Sequence, residues 1–568
     1  MESIKAGVLV IGGGLAGIMA ALTASRAGVQ VVLVTKSSSL GTSGNTSMAG
    51  GGFAASFGYE NDDSPKRHCE DTIKSGAFMN NQEMVRVLAE KAPSILEFLV
   101  ELGIPFIRDG NRFKQFFLPG HSRPRAVRLL GGGTRELMAV LGRELVRNGV
   151  KIQPRVFIKD LVQERGCIAG AVGFLKDSAV PVIFQAKAIV LATGGGGDIF
   201  PLTTNKRGTT ADGLAMALRA GLSLKDLEFI QFTPTAMVFP PRLAGQSIGG
   251  ILLGQPGARL LNNQGERFMV NYDPDRMEAA TRDVVARAIY REILAGRGTN
   301  HGGVFLDVTG VPLEILESTT GNILRALQKQ GIDLTSERIE IAPAVHFFMG
   351  GIEVDPSCRT GIKGLFAAGE VTAGVHGANR LSGNGLTEAV VFGAIAGTAA
   401  ARYIQDAPDI AASKKIFTDY FETTFKTTNS GKHSNLPIQV IIKGLNQRLQ
   451  QVALKALGLE RKKSLLQEGV EEIDTLEKEL ASILAGQIKF KHRCLRLYEL
   501  ENMILVIKAA ITAALMRTES RGAHYRPDYP EQESGWLKNI SVRLVNGELV
   551  TRLTPIDFPY VKPGCRLS

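Results

Sequence analysis

Residues 7–35 constrain the fold of this chain more than any other stretch. GVLVI at 7–11 is a short apolar run of strand type, GGGLAG follows it, IMAALTASRAG has helical composition ending at Gly28, and VQVVLVT reads as a second strand. Gly12, Gly14 and Gly17 stand in GxGxxG spacing between strand and helix. The first glycine permits the tight turn, the second lets a pyrophosphate approach the backbone, and the third lets helix and strand pack, while the helix N-terminus faces the anion. A β-turn-α-β unit of a dinucleotide-binding α/β domain is expected. The same stretch is long and uncharged after Lys5, as a signal peptide or membrane span would be, and the glycine spacing argues against both. ILVIKAAITAALM near 504 is too short to span and holds Lys508, so no transmembrane segment is expected and the chain reads as cytoplasmic.

With 568 residues the chain is too long for a single core. A 44% hydrophobic and 21% charged composition excludes disordered and fibrous classes. The net charge of +11 is spread along the chain without a basic run, which argues against nucleic-acid binding. Five cysteines, Cys69, Cys167, Cys358, Cys494 and Cys565, lie far apart, with no spacing for a metal centre, an iron–sulfur cluster or a disulfide framework.

Further strands are expected in AKAIVLATGGGG at 186–197 and IKGLFAAGE at 362–370, so the nucleotide fold is interrupted and resumed. Between them, from 228 to 343, prolines and mixed short strands mark an insertion. The expected organisation is a first part of the nucleotide domain at 1–227, a capping and substrate domain at 228–343, a second part of the nucleotide domain at 344–404, a helical domain at 405–520 and a tail at 521–568. VRLVNGELVTRL in the tail has the Asn-Gly signature of a hairpin.

The acidic residue that usually ends the second strand and holds the adenosine ribose is missing; Thr35 and Lys36 stand there. NAD is therefore disfavoured. FAD is favoured by the additional glycine-rich strand ends, which would hold a long dinucleotide along its whole length.

Several motifs together, VIGGGLAGIMAA, SGNTSMAGGG, LATGG with TTADGLAMALRAG, LEFIQFTPT, TRD, AVHFFMGGIEVD, GLFAAGE, HGANRLSGNGLTEAVVFG and RTESRGAHYRPDYP, resemble in content and order the flavoprotein subunits of succinate dehydrogenase and fumarate reductase, a family that includes L-aspartate oxidase. The resemblance implies a Rossmann-like FAD-binding domain with an inserted α+β capping domain and a C-terminal helical domain. It implies FAD contacts at Gly12, Gly13, Gly14, Leu15, Ala16 and Gly17, at Lys36, along Ser43, Gly44, Asn45, Thr46, Gly51 and Gly52, at Thr193 and Gly194, and at Asp212, Glu370, Gly385 and Leu386. On the residues alone, Asp212 and Glu370 fit helix capping or turn formation equally well. Many members bond FAD covalently to a histidine in a pattern like R-S-H-T. Ser43-Gly44-Asn45-Thr46 stands here, and an amide cannot form that bond, so non-covalent FAD is expected.

Hydride chemistry on a carbon–carbon double bond needs a proton donor and cations that hold the substrate. The resemblance assigns the donor to Arg282 of Arg282-Asp283 and carboxylate binding to His346 and Arg380. The residues alone permit plainer readings: an ion pair of Arg282 with Asp283 or Glu278, a core histidine at 346, a phosphate contact at Arg380. Family members grip a second carboxylate with the histidine of QFHPT and with a nearby threonine–glutamate pair. Here Thr233 replaces that histidine, and no Asp or Glu occurs from Ala236 to Leu261. Arg242 in that span reads as a surface residue. The expected activity is interconversion of a saturated and an unsaturated small carboxylate. Electrons would be exchanged with a separate iron–sulfur subunit, with membrane association only through partners. An L-aspartate oxidase-like enzyme, and a flavin-bearing electron-transfer subunit that no longer turns over dicarboxylates, remain as alternatives.

Overall fold

The computed structural model describes residues 2–41, 44–50, 52–59, 62–118, 120–131, 133–250, 252–406, 414–424, 437–486 and 494–564. Strand β1 (Glu2–Ile11) leads through the glycine turn into helix α1 (Leu15–Arg26) and strand β2 (Val31–Val34). Further on come β3 (Lys151–Gln153), β4 (Val156–Glu164), β5 (Cys167–Leu175) and β6 (Pro181–Leu191), then helix α2 (Asp212–Arg219). The chain next builds β7 (Ile230–Met237), β8 (Arg259–Leu261), helix α3 (Arg282–Glu292), β9 (Val304–Asp307), helix α4 (Leu313–Gln328) and β10 (Ile339–Phe348). It returns with β11 (Leu365–Ala367) and the long helix α5 (Asn384–Asp406). Helices α6 (Ile438–Leu457), α7 (Lys463–Gly486) and α8 (Cys494–Met516) precede a hairpin of β12 (Lys538–Val545) and β13 (Glu548–Pro555).

The central sheet runs β3-β2-β1-β6-β5-β4, and β11 also pairs with β6. The pairs β1 with β2, β2 with β3, β1 with β6 and β6 with β11 are parallel, while β4, β5 and β6 form an antiparallel extension. Val8, Leu9, Val10 and Val31–Val34 are fully buried, as befits strands covered on both faces. Helix α1 is buried over most of its length because α5 crosses it closely: a Cβ on Gly393 or Gly397 would stand 2.5 Å from the Ala16 carbonyl oxygen or 2.1 Å from that of Ala20. Glycine lets the two helices touch backbone to backbone.

A second sheet, β7-β10-β9-β8, forms with α3 and α4 a body whose core, including Met237, Leu260, Ile289, Leu306 and Ile341, is separate from the main one. Strand β10 continues through residue 343 to Phe348, so one strand is shared by this body and the nucleotide fold. The last helices pack on α2 and the sheet, with Arg448 bridging α6 to Glu472 and Glu479 of α7. At the hairpin, Asn546 (φ 51°) and Gly547 (φ 85°) take the left-handed conformations of a two-residue turn that matches strand twist.

Candidate functional site

A cavity of about 1050 Å³ runs from the glycine turn after β1, past the ends of β2 and β6, to β10 and the start of α5. Its first wall is Gly12 to Ala16. Gly12 has φ 123°, and a Cβ there would lie 2.1 Å from the Ala192 carbonyl oxygen. Gly17 does not line the cavity; a Cβ on it would meet the Gly12 carbonyl oxygen at 1.9 Å, so this glycine sets the seating of α1 on the turn. Gly14 caps α1 without a side chain, and the Leu15 amide donates to Thr46 Oγ1 at 3.1 Å. The helix N-terminus thus opens onto the cavity with the polarity that favours an anion.

Lys36 closes the β2 end. Its ammonium donates to Thr210 Oγ1 (2.6 Å), Asp212 Oδ2 (2.7 Å) and Glu499 Oε1 (2.9 Å). Burial works against its charge, but the two carboxylates raise its pKa above the ordinary value. Asn502 Nδ2 donates to Asp212 Oδ1 at 2.9 Å. Glu499, like Lys36 and Asp212, is a wall residue. Both Glu499 and Asn502 come from α8, and nothing in their local sequence sets them apart from the helix's other polar residues.

Along the middle, Gly44, Asn45 and Thr46 face Thr193, Gly194 and Glu370 across the cavity wall. Asn45 Nδ2 donates to Glu370 Oε2 at 2.8 Å and to Asn205 Oδ1 at 2.9 Å. The Phe348 amide donates to Glu370 Oε1, and burial pushes this carboxyl up to about 7. Thr193 Oγ1 is buried without a partner. Gly385 and Leu386 line the cavity at the start of α5. Gly52 lies in a short strand outside the wall, with Gly50 lining it instead, and Ser43 and Gly51 fall outside the described residues. The glycine cradle, the open helix end and the orphaned Thr193 hydroxyl fit a long dinucleotide such as FAD, held by the residues named here. Among the described residues no cluster of potential metal ligands occurs, and no helix is long and apolar enough to cross a membrane.

The far end is cationic. His346 occupies a bulge of β10, where Val345 pairs with Phe232 and Phe347 with Gln231, leaving the histidine between them. Its Nδ1 lies 2.7 Å from Thr204 Oγ1. Burial first, then the charges of Arg380 and Arg282, hold its pKa well below the ordinary value, so the ring is neutral. Arg380 is 8% exposed, stacks 4.7 Å over the Phe347 ring and has a buried Nε without a partner. Burial and then the Arg282 charge push it down to about 10. Its backbone is held by Gln231, which donates to the Arg380 carbonyl at 3.0 Å and to Asn379 Oδ1 at 2.9 Å.

Arg282 opens α3. Asp283 pairs with Arg287 and Glu278 with Arg267, so neither carboxylate is spent on Arg282. Among the described residues neither Arg282 nor Arg380 forms an ion pair. A Cβ on Gly250 would lie 3.6 Å from Arg282 Nε, placing the guanidinium against the loop whose residues 245–249 line the cavity. Arg380, buried in the cavity wall, and Arg282, half-buried and just outside that wall, stand near a neutral imidazole and form no ion pair among the described residues, an arrangement that suits an anion. Thr233 stands apart: it is 5% exposed within β7, opposite Ala344, and does not line the cavity. The part of the following loop that lines the wall, residues 245–249, is uncharged, with Ser247 Oγ 3.3 Å from Thr235 Oγ1, and Arg242 is exposed outside the wall. Helix α4 brings Glu317 and Thr320 into the wall, a contribution the sequence pattern did not reveal.

Comparison with known proteins agrees with this geometry. Residues 7–386 match the family model described as FAD binding domain, and residues 446–567 the one described as fumarate reductase flavoprotein C-term. The chain is 38% identical over 543 residues to a CoM/CoB fumarate reductase chain of Methanothermobacter marburgensis, covering 95% of this chain and 97% of that one. It is 33% identical to the L-aspartate oxidase of Nostoc sp., over 93% of this chain and 92% of the relative. Among solved structures, Mycobacterium smegmatis Sdh1 in complex with UQ1 superposes with a TM-score of 0.88 at 34% identity, over 99% of this chain and 96% of the other.

Proposed function

Because the chain belongs to the succinate dehydrogenase and fumarate reductase flavoprotein family, which also includes L-aspartate oxidase, and is an FAD-dependent oxidoreductase, we propose that it interconverts a saturated and an α,β-unsaturated carboxylate. The observation that carries this reading is the unpaired pair of Arg282 and Arg380 around His346. FAD bound in the cavity supplies hydride transfer through its N5. Arg380 binds the substrate carboxylate through its planar fork, and the neutral ring of His346 adds a hydrogen bond. Arg282 delivers or removes the proton on the substrate carbon; burial lowers its pKa, which brings so weak an acid closer to use. Thr233 lies outside the cavity wall and the wall residues 245–249 are uncharged, so a second carboxylate is held less firmly than the first.

The flavin is held without a covalent bond, since Asn45 offers no nucleophile. Electrons pass to or from a separate iron–sulfur subunit, in a cytoplasmic protein that meets a membrane only through partners. An L-aspartate oxidase-like activity is the second reading, favoured by the Nostoc relative. Anaerobic reduction of the bound flavin, followed by addition of fumarate, other enoates, iminoaspartate or oxygen, separates the readings. Rapid reoxidation by an enoate supports the first, and by iminoaspartate and oxygen alone the second. Silence towards every enoate and imine sinks both and leaves an electron-transfer subunit.

A further inference from the structure

We infer that Glu499, delivered by α8 from the far end of the chain, is the carboxylate that holds the adenosine ribose of the bound dinucleotide. The fold places an acid at the end of β2 for this purpose, accepting hydrogen bonds from the ribose hydroxyls. Here β2 runs into Thr35 and Lys36, so the local chain offers a cation where an acceptor is needed. Glu499 Oε1 lies 2.9 Å from Lys36 Nζ across 463 residues of sequence, and both side chains line the cavity. The acceptor lost from β2 is thereby replaced from another element at the same place.

Asp212 is the other carboxylate at this end, and its capacity is largely used. Among the described residues it accepts from Lys36, Thr210 and Asn502, whereas Glu499 accepts from Lys36 and, at 2.8 Å, from Arg496. A carboxylate has about four acceptor positions, so Glu499 retains the larger share for a ribose diol. The charged groups around it are Lys36 and Arg496, with Asp212 across the ammonium and Asp198 3.8 Å from Arg496; the two cations keep Glu499 ionised. One consequence reaches beyond affinity: the group that grips the adenosine half also pins the helical region to the nucleotide domain. The inference requires a dinucleotide in the cavity and is independent of the substrate.

The test uses the full chain stripped of flavin and titrated with FAD, ADP and FMN. FMN lacks the adenosine half and reports whether the rest of the site is intact. Glu499→Gln is expected to weaken FAD and ADP by about ten- to a hundredfold, the loss of hydrogen bonds to a charged acceptor, while leaving FMN unchanged. Arg496→Gln removes an ion pair that seats α8 but keeps the acceptor, and is expected to leave FAD within about threefold of wild type. Unchanged FAD and ADP affinity in Glu499→Gln, an equal loss for FMN, or an equal FAD loss in Arg496→Gln would each overturn the inference.

Discussion

Asn45 Nδ2 donates to Glu370 Oε2 at 2.8 Å, a hydrogen bond between residues 325 apart in sequence. The family resemblance aligns this amide with a flavin-linked histidine, and it donates to the Glu370 carboxylate and to Asn205 Oδ1. Acid or detergent denaturation is therefore expected to release all flavin into the supernatant. Yellow colour retained on the denatured chain, read by absorbance after precipitation, contradicts this.

The same carboxyl gives a pH dependence. Burial raises Glu370 from its ordinary value of 4.5 to about 7. Between those values the folded chain keeps a proton that the unfolded chain has released, so stability falls as pH rises through that window. The contribution is at most about 3 kcal/mol. Asp226, raised to about 7 by burial and by Glu228, acts in the same direction, so the difference between variants is the informative quantity. Flavin-free wild type is expected to lose more melting temperature between pH 5 and pH 8 than Glu370→Gln; parallel profiles would refute the assignment.

Arg282 and Arg380 are expected to fail differently. Arg282→Gln removes the proton donor and lowers kcat by about 10²- to 10⁴-fold with flavin content and KM little changed. Arg380→Lys keeps a charge but loses the two-point grip, raising KM for the carboxylate by about tenfold or more. Steady-state kinetics on any enoate that reoxidises the flavin separates them, and a shared kcat effect without a KM split would argue against these roles.

Two glycines of the first unit are expected to differ for steric reasons. Gly17→Ala sets a methyl 1.9 Å from the Gly12 carbonyl oxygen and should cost about 3 kcal/mol or more, with flavin lost. Gly28→Ala has φ 82° but nothing within 4 Å, so only the left-handed backbone opposes it, at about 1–2 kcal/mol. Urea unfolding midpoints check the ranking.

The β1-turn-α1-β2 unit was legible because its strand, glycine turn and helix follow one another directly, and a Cβ at Gly17 collides with the Gly12 carbonyl oxygen of the same turn; the obstacle at Gly12 is Ala192, which only the pairing of β1 with β6 brings there. The motif around Arg380 pointed to an acid-binding loop, yet its partnership with His346 depends on a bulge in β10 that pairing with β7 creates. Thr233 shows the limit from the other side. Its motif suggested a place in the site, but the strand register turns it into the body of the sheet opposite Ala344, away from the cavity.

By itself, the sequence determined the dinucleotide turn, the interruption of the nucleotide fold and the set of cations available for an anionic substrate. Those follow from backbone sterics and residue chemistry that act over a few positions. Only the tertiary structure decided which charges meet. Among the described residues it leaves Arg282 and Arg380 outside any ion pair, makes His346 neutral through burial and their field, and brings Glu499 from α8 to Lys36 at the end of β2. Electrostatic interaction depends on distance through space and on exclusion of water, and neither quantity is written in the local order of residues.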